Sequence, residues 1–143
     1  MKDAKLASST HPEQTSIVKL SSDVAIGDEE IIIIAGPCTI ENLEQMETVA
    51  KKLKPSPIQA IRGGAYKPRT SPYAFQGLGV EGLEILDSIK QRYKMPVVTE
   101  VMGTEDIEIV ANHADMLQVG SRNMQNFNLL KALGQVNKPI LLK

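Results

Sequence analysis

Arg62-Gly63-Gly64-Ala65-Tyr66-Lys67-Pro68-Arg69-Thr70-Ser71-Pro72 gathers three cations, two hydroxyls and two glycines into eleven residues, directly after the apolar run Ile58-Gln59-Ala60-Ile61. Glycine lets a backbone approach a ligand closely, proline holds a loop extended, and Lys and Arg supply fixed positive charge. With Thr70 and Ser71 as hydroxyl donors, the segment has the chemistry of a grip for phosphate-bearing anions.

Four further residues could join it. Arg122, in Gly120-Ser121-Arg122-Asn123, adds a cation able to hold phosphate or carboxylate in two places. Lys143 follows Ile140-Leu141-Leu142, so it can serve as an anion clamp or proton donor, or simply be a charged residue. Glu100, near the end of Pro96 to Val101, either organises the basic groups or pairs with one of them. Cys38 lies just behind Gly36-Pro37, where its thiolate could bind a divalent metal or act as a nucleophile; a lone cysteine is more often a small buried hydrophobe. The two histidines promise less. His11 is in a polar N-terminal stretch, and His113 follows a helical pattern on the loop that enters the next apolar run, opposite the other polar residues.

The elements that must carry these groups alternate. Strands are expected at Ile31 to Ala35, Ile58 to Arg62, Pro96 to Val101, Met116 to Val119 and Ile140 to Leu142, each apolar on consecutive positions. Between them, helical spacing links Leu43, Met46, Val49, Ala50 and Leu53, then Leu83, Leu86 and Ile89, then Ile107, Val110 and Ala111, then Phe127, Leu130 and Leu133; Thr104-Glu105-Asp106 supplies a helix start. The methionines read as packing. This rhythm is α/β with a parallel sheet buried on both faces, and in such folds ligands sit beyond the carboxyl ends of the strands. The expected division is a flexible tail over residues 1–15, a β-hairpin extension over 16–30 built on Ile17-Val18-Lys19-Leu20 and Val24-Ala25-Ile26, and the α/β unit over 31–143.

Composition narrows the classes. With 143 residues, 42% hydrophobic and 23% charged, the chain reads as one ordinary globular domain or less. A net charge of -1, from 16 basic and 17 acidic residues, provides no global field for nucleic acid or an anionic membrane surface, so any preference for anions is local. One cysteine excludes an internal disulfide framework and fits a reducing, cytoplasmic compartment; no apolar run is long enough to span a bilayer or to form the core of a secretory signal.

Taken in order, Gly36-Pro37-Cys38 with Glu41, Arg62 before Lys67-Pro68-Arg69-Thr70-Ser71-Pro72, Gly120-Ser121-Arg122-Asn123 and Leu141-Leu142-Lys143 resemble 3-deoxy-D-arabino-heptulosonate 7-phosphate (DAHP) synthase in its compact form with a short N-terminal extension. The resemblance covers roughly Ile17 to Lys143. It implies a (β/α)8 TIM barrel that condenses phosphoenolpyruvate with erythrose 4-phosphate and releases phosphate, the first step of the shikimate pathway, in a homo-oligomer. It also implies that Arg62, Lys67, Arg122 and Lys143 hold phosphoenolpyruvate, that Arg69 and Thr70 contact erythrose 4-phosphate, and that Glu100 organises the phosphoenolpyruvate site. Cys38 would be a ligand of a divalent metal such as Mn2+, and either Lys67 or a metal-bound water would serve in proton transfer.

The sequence also departs from that pattern. A complete barrel takes about 200 residues or more, whereas five strands and four helices are expected here. The remaining metal ligands of the family, a His, a Glu and an Asp on later strands, have no matching positions, so the chain is expected to be a truncated form that binds metal poorly and is inactive alone. Two alternatives remain: 3-deoxy-D-manno-octulosonate 8-phosphate synthase, whose loop has an Ala-Asn pair where Pro68 stands, and a non-catalytic phosphate-binding half-barrel.

Overall fold

The computed structural model describes residues 16–143. The tail expected over residues 1–15 lies outside the described residues. A two-stranded antiparallel hairpin comes first, β1 (Val18–Lys19) and β2 (Ala25–Ile26), with Val18 opposite Ile26. Five parallel strands follow, β3 (Ile34–Ala35), β4 (Ala60–Arg62), β5 (Val97–Glu100), β6 (Met116–Val119) and β7 (Ile140–Leu142), side by side in chain order. The helices α1 (Leu43–Leu53), α2 (Val80–Tyr93), α3 (Ile107–His113) and α4 (Phe127–Leu133) fill the four crossovers. Sequential parallel order with a helix in each crossover is the topology of a β/α barrel wall, here a half-barrel of five strands.

Three strands are shorter than their apolar runs. Ile31 is 86% exposed and the ladder begins only at Ile34, because the backbone of Ile33 is satisfied from Gln59: the Gln59 side-chain oxygen accepts from the Ile33 N–H at 2.8 Å, and the Gln59 N–H donates to the Ile33 carbonyl at 3.1 Å. The second and third strands likewise start at Ala60 and Val97 rather than at Ile58 and Pro96. Pro96 has no N–H for a ladder, and its carbonyl accepts from Ile61.

The alternation of side chains along a strand builds two apolar layers. One face of the sheet packs on the helices, where Leu83, Leu86 and Ile89 of α2 are fully buried with Ile61, Val97 and Leu117 of the strands. Burying each such side chain contributes about 1.5–3 kcal/mol. The opposite, inner face carries Ala60, Val98 and Met116, with Ile34 and Leu141 partly buried beside them, and Leu20 and Val24 of the hairpin close this layer at the end where the strands begin. The hairpin is therefore a plug for the amino end of the half-barrel. Two residues further along each strand, on the same inner face, stand Arg62, Glu100, Gln118 and Lys143. An apolar layer below thus hands over to a polar layer at the carboxyl ends.

Candidate functional site: a cationic pocket at the carboxyl rim

That polar layer lines a pocket of about 270 Å³. Arg62, Lys67, Arg122 and Lys143 bring four cations to it, Glu100 is its one carboxylate, and Cys38 lies at its margin. Each reaches the pocket through local structure. The Lys143 N–H donates to the carbonyl of Val119 at 3.0 Å, which keeps the chain in register with β6 beyond the end of β7. Lys67 is held by a bond from its N–H to the Gln76 carbonyl at 2.8 Å, while Tyr66 and Gly77 form an antiparallel bridge, so the long loop between them is pinned at its base. The loop bends back over the rim, and Arg122 donates through a guanidinium N–H to the carbonyl of Pro68 at 3.0 Å.

Gly36 brings Cys38 into place. Its φ is +151°, and a Cβ there would lie 2.0 Å from the carbonyl oxygen of Arg62, so only glycine lets this segment cross so close to the end of β4. Beyond the crossing, the Lys67 ammonium donates to the Cys38 sulfur at 3.3 Å. Cys38 is exposed, which overturns the reading of a small buried hydrophobe. Its thiol is held below the ordinary value of 9.0, first by that hydrogen bond from Lys67; partial burial opposes the effect, and the charge of Lys67, a bond from Thr39 and the charge of Arg62 add to it.

Glu100 is 8% exposed, and its Oε2 accepts from the Gln118 side-chain amide at 3.2 Å, also buried. Lys67 is buried at 9% exposure, unusual for a lysine without a carboxylate partner. None of the ion pairs among the described residues includes Arg62, Lys67, Glu100, Arg122 or Lys143. A pocket with four cations, one carboxylate and no internal ion pair is arranged to receive negative charge from outside.

Six of the eight residues singled out in the sequence meet at this pocket: Cys38, Arg62, Lys67, Glu100, Arg122 and Lys143. The other two stand apart. Arg69 is exposed and donates through Nε to the Phe75 carbonyl at 3.3 Å, and Thr70 is exposed on the same loop. His113 sits at the end of α3 and pairs with Asp87 at 2.6 Å, at the opposite rim as expected. Met46, Met95 and Met116 are core residues, whereas Met124 is 48% exposed. Gln118 was not singled out. Its signal was present, as the one polar residue in the run Met116 to Val119 and the register partner of Glu100.

The described residues contain no group of three or more His, Cys, Asp or Glu able to hold a metal ion. Cys38 is a single donor, and the group closest in charge to its sulfur is the Lys67 ammonium, which competes for the same lone pair. This donor set does not fit a divalent cation on its own. No helix among the described residues is long and apolar enough to cross a membrane.

Fold and pocket together define a β/α half-barrel with a cationic pocket at the carboxyl ends of its strands. The chain belongs to the DAHP synthetase I family, whose model matches residues 12–143. A phospho-2-dehydro-3-deoxyheptonate aldolase of Thermotoga maritima is 51% identical over 133 residues, which is 93% of this chain and 39% of that protein. A 2-dehydro-3-deoxyphosphooctonate aldolase of Acidovorax sp. (strain JS42) is 32% identical over 123 residues, 81% of this chain and 43% of that protein. The crystal structure of the Thermotoga maritima DAHP synthase superposes with a TM-score of 0.85 at 48% identity, over 90% of this chain and 37% of the other. A truncated form of the Thermotoga maritima 3-deoxy-D-arabino-heptulosonate 7-phosphate synthase superposes with a TM-score of 0.77 at 45% identity, over 89% of this chain and 45% of the other. The chain spans between about two fifths and one half of the length of the curated relatives it matches.

Proposed function

We propose that this chain forms the phosphoenolpyruvate-binding part of a DAHP synthase, the enzyme that joins phosphoenolpyruvate to erythrose 4-phosphate with release of phosphate. The observation that carries the reading is the convergence of Arg62, Lys67, Arg122 and Lys143 on one pocket without a carboxylate partner. Phosphoenolpyruvate carries its carboxylate and its phosphate ester on the same carbon. Four cations in about 270 Å³ match that charge and that size.

In this reaction carbon 3 of phosphoenolpyruvate forms a bond to the aldehyde carbon of erythrose 4-phosphate, water adds to carbon 2, and the bond from carbon 2 to the phosphate oxygen breaks. The residues of this chain bind and orient. Arg62, Lys67, Arg122 and Lys143 neutralise phosphoenolpyruvate, Glu100 organises its site without pairing with them, and Lys67 is assigned to move a proton. Arg69 and Thr70, on the exposed loop beyond Pro68, are assigned to the phosphate of erythrose 4-phosphate. The divalent metal that the family resemblance implies would take Cys38 as one ligand, and the described donors do not fit such an ion on their own. A cytoplasmic setting and self-association belong to the same reading, supported by the single free thiol and by the resemblance.

The Lys67-Pro68-Arg69-Thr70 sequence and 51% rather than 32% identity favour the heptulosonate over the octulosonate reaction. Calorimetry with phosphoenolpyruvate and with pyruvate tests the reading. Phosphoenolpyruvate is expected to bind at least about 10-fold more tightly, because only it engages the cations through phosphate. Equal affinity for the two, or no binding of either, would refute it.

A further inference from the structure

Glu100 presents a physical puzzle. It is a carboxylate 8% exposed in a pocket lined by four cations, yet it pairs with none of them. A carboxylate in such a field is ordinarily drawn onto a cation, since burial strengthens the attraction.

Two features hold it back. Gln118, 6% exposed, donates its Nε2 to Glu100 Oε2 at 3.2 Å. The two residues are register partners on adjacent strands, so their side chains rise side by side from the same face. The second feature is Gly120. A Cβ at that position would lie 2.3 Å from Glu100 Oε1, so the other carboxylate oxygen occupies space that only a glycine leaves.

We propose that Gln118 is a positioning residue which, with the bare Cα of Gly120, keeps Glu100 from neutralising the pocket's own cations and so leaves them free for the ligand's phosphate and carboxylate. The inference rests on the anion-binding reading above and deepens it. A neutral amide suits this role because it satisfies a carboxylate oxygen without adding charge, where Lys or Arg would bind Glu100 and an aliphatic side chain would leave it without a donor. A carboxylate that loses its donor takes the nearest replacement, and in this pocket the replacements are cations. Held in place, the single negative charge reduces repulsion among the four cations without blocking any of them.

Gln118→Met removes the amide while keeping length. Its affinity for phosphoenolpyruvate is expected to fall roughly 10-fold by calorimetry. In a Glu100→Gln background the same substitution is expected to change affinity less than about 2-fold, since no charge remains to be released. A crystal structure of Gln118→Met is expected to show the Glu100 carboxylate within roughly 4 Å of a pocket cation. Equal losses in the two backgrounds would assign Gln118 a merely structural role and overturn the proposal. A Gln118→Met structure with Glu100 unmoved would overturn it as well. If the unsubstituted chain does not bind phosphoenolpyruvate, the anion-binding reading fails while that structure still decides the role of Gln118. Should Gln118→Met fail to fold, Gln118→Asn, too short to reach Glu100, takes its place in the same cycle.

Discussion

The two rims of the half-barrel use the same side chains to opposite ends. At the amino rim one cation meets a carboxylate, Lys90 with Asp115 at 2.6 Å, while Lys138 donates to the Ala114 carbonyl at 2.9 Å and Lys54 to the Tyr93 carbonyl at 2.8 Å. Asp115 is doubly used, since its other oxygen accepts from the Val97 N–H at 2.9 Å. These bonds tie the ends of α1 and α2 and the entrances to β5, β6 and β7 to one another. A cavity of about 310 Å³ lies there too, but its lysines, Lys90 and Lys94, are accompanied by Asp23 and Asp115. At the carboxyl rim a smaller pocket gathers four cations around one carboxylate, with no ion pair among them. A carboxylate partner, which Lys90 has and the four cations of the carboxyl rim lack, separates the rim whose bonds tie elements together from the rim whose cations are unpaired.

The largest test of this contrast removes a cation from the carboxyl rim. Lys67→Met keeps the buried stem and deletes the ammonium. Phosphoenolpyruvate affinity by calorimetry is expected to fall roughly 10- to 100-fold, the worth of a charge-assisted bond in a partly buried site. The thermal unfolding midpoint is expected to stay the same or rise, because Lys67 has no carboxylate to leave unpaired. A large drop in midpoint with unchanged affinity would erase the distinction between the rims.

The reverse experiment strikes the amino rim. Asp115→Ala strands the Lys90 ammonium and the Val97 N–H together, and denaturant unfolding is expected to show a loss of about 2–4 kcal/mol. Phosphoenolpyruvate affinity is expected to remain within about 2-fold, since Asp115 lies at the other end of the strands.

Much of this contrast could be read from the chain. The alternation of apolar runs with helical spacing gave the half-barrel, and the rule that ligands gather beyond the carboxyl ends of strands brought Cys38, Arg62, Lys67, Glu100, Arg122 and Lys143 together in advance. Pairing was less legible. That Lys90 would meet Asp115 across 25 positions while Lys67 would meet only a thiol depends on the tertiary approach of loops, which no local pattern encodes. Exposure of Cys38 follows from the crossing at Gly36, where the backbone passes over the end of β4. Gln118 was hidden for another reason: inside a buried strand one polar residue looks like a tolerated exception until its register partner is known. The trimmed strands show the same limit, since an apolar run marks what can be buried and not where a side-chain amide such as that of Gln59 replaces the ladder.

The smallest expected effect is also the most local, because it reads the one contact that a carboxyl-rim cation does make with a titratable neighbour. Cys38 is held below its ordinary 9.0 chiefly by the Lys67 hydrogen bond, so alkylation by iodoacetamide should follow a titration curve with its midpoint below 9.0. Lys67→Met should move that midpoint upward and slow alkylation at neutral pH severalfold, as the thiolate fraction falls. The same lowering has a defined sign in stability. A thiol that ionises more readily in the folded chain favours folding fully above 9.0, and that contribution fades as pH falls through the lowered folded value; Cys38→Ser should abolish this pH dependence. An alkylation profile that is identical with and without the ammonium would mean that Lys67 does not hold the thiolate, and the carboxyl rim would then have no internal contact among its charges.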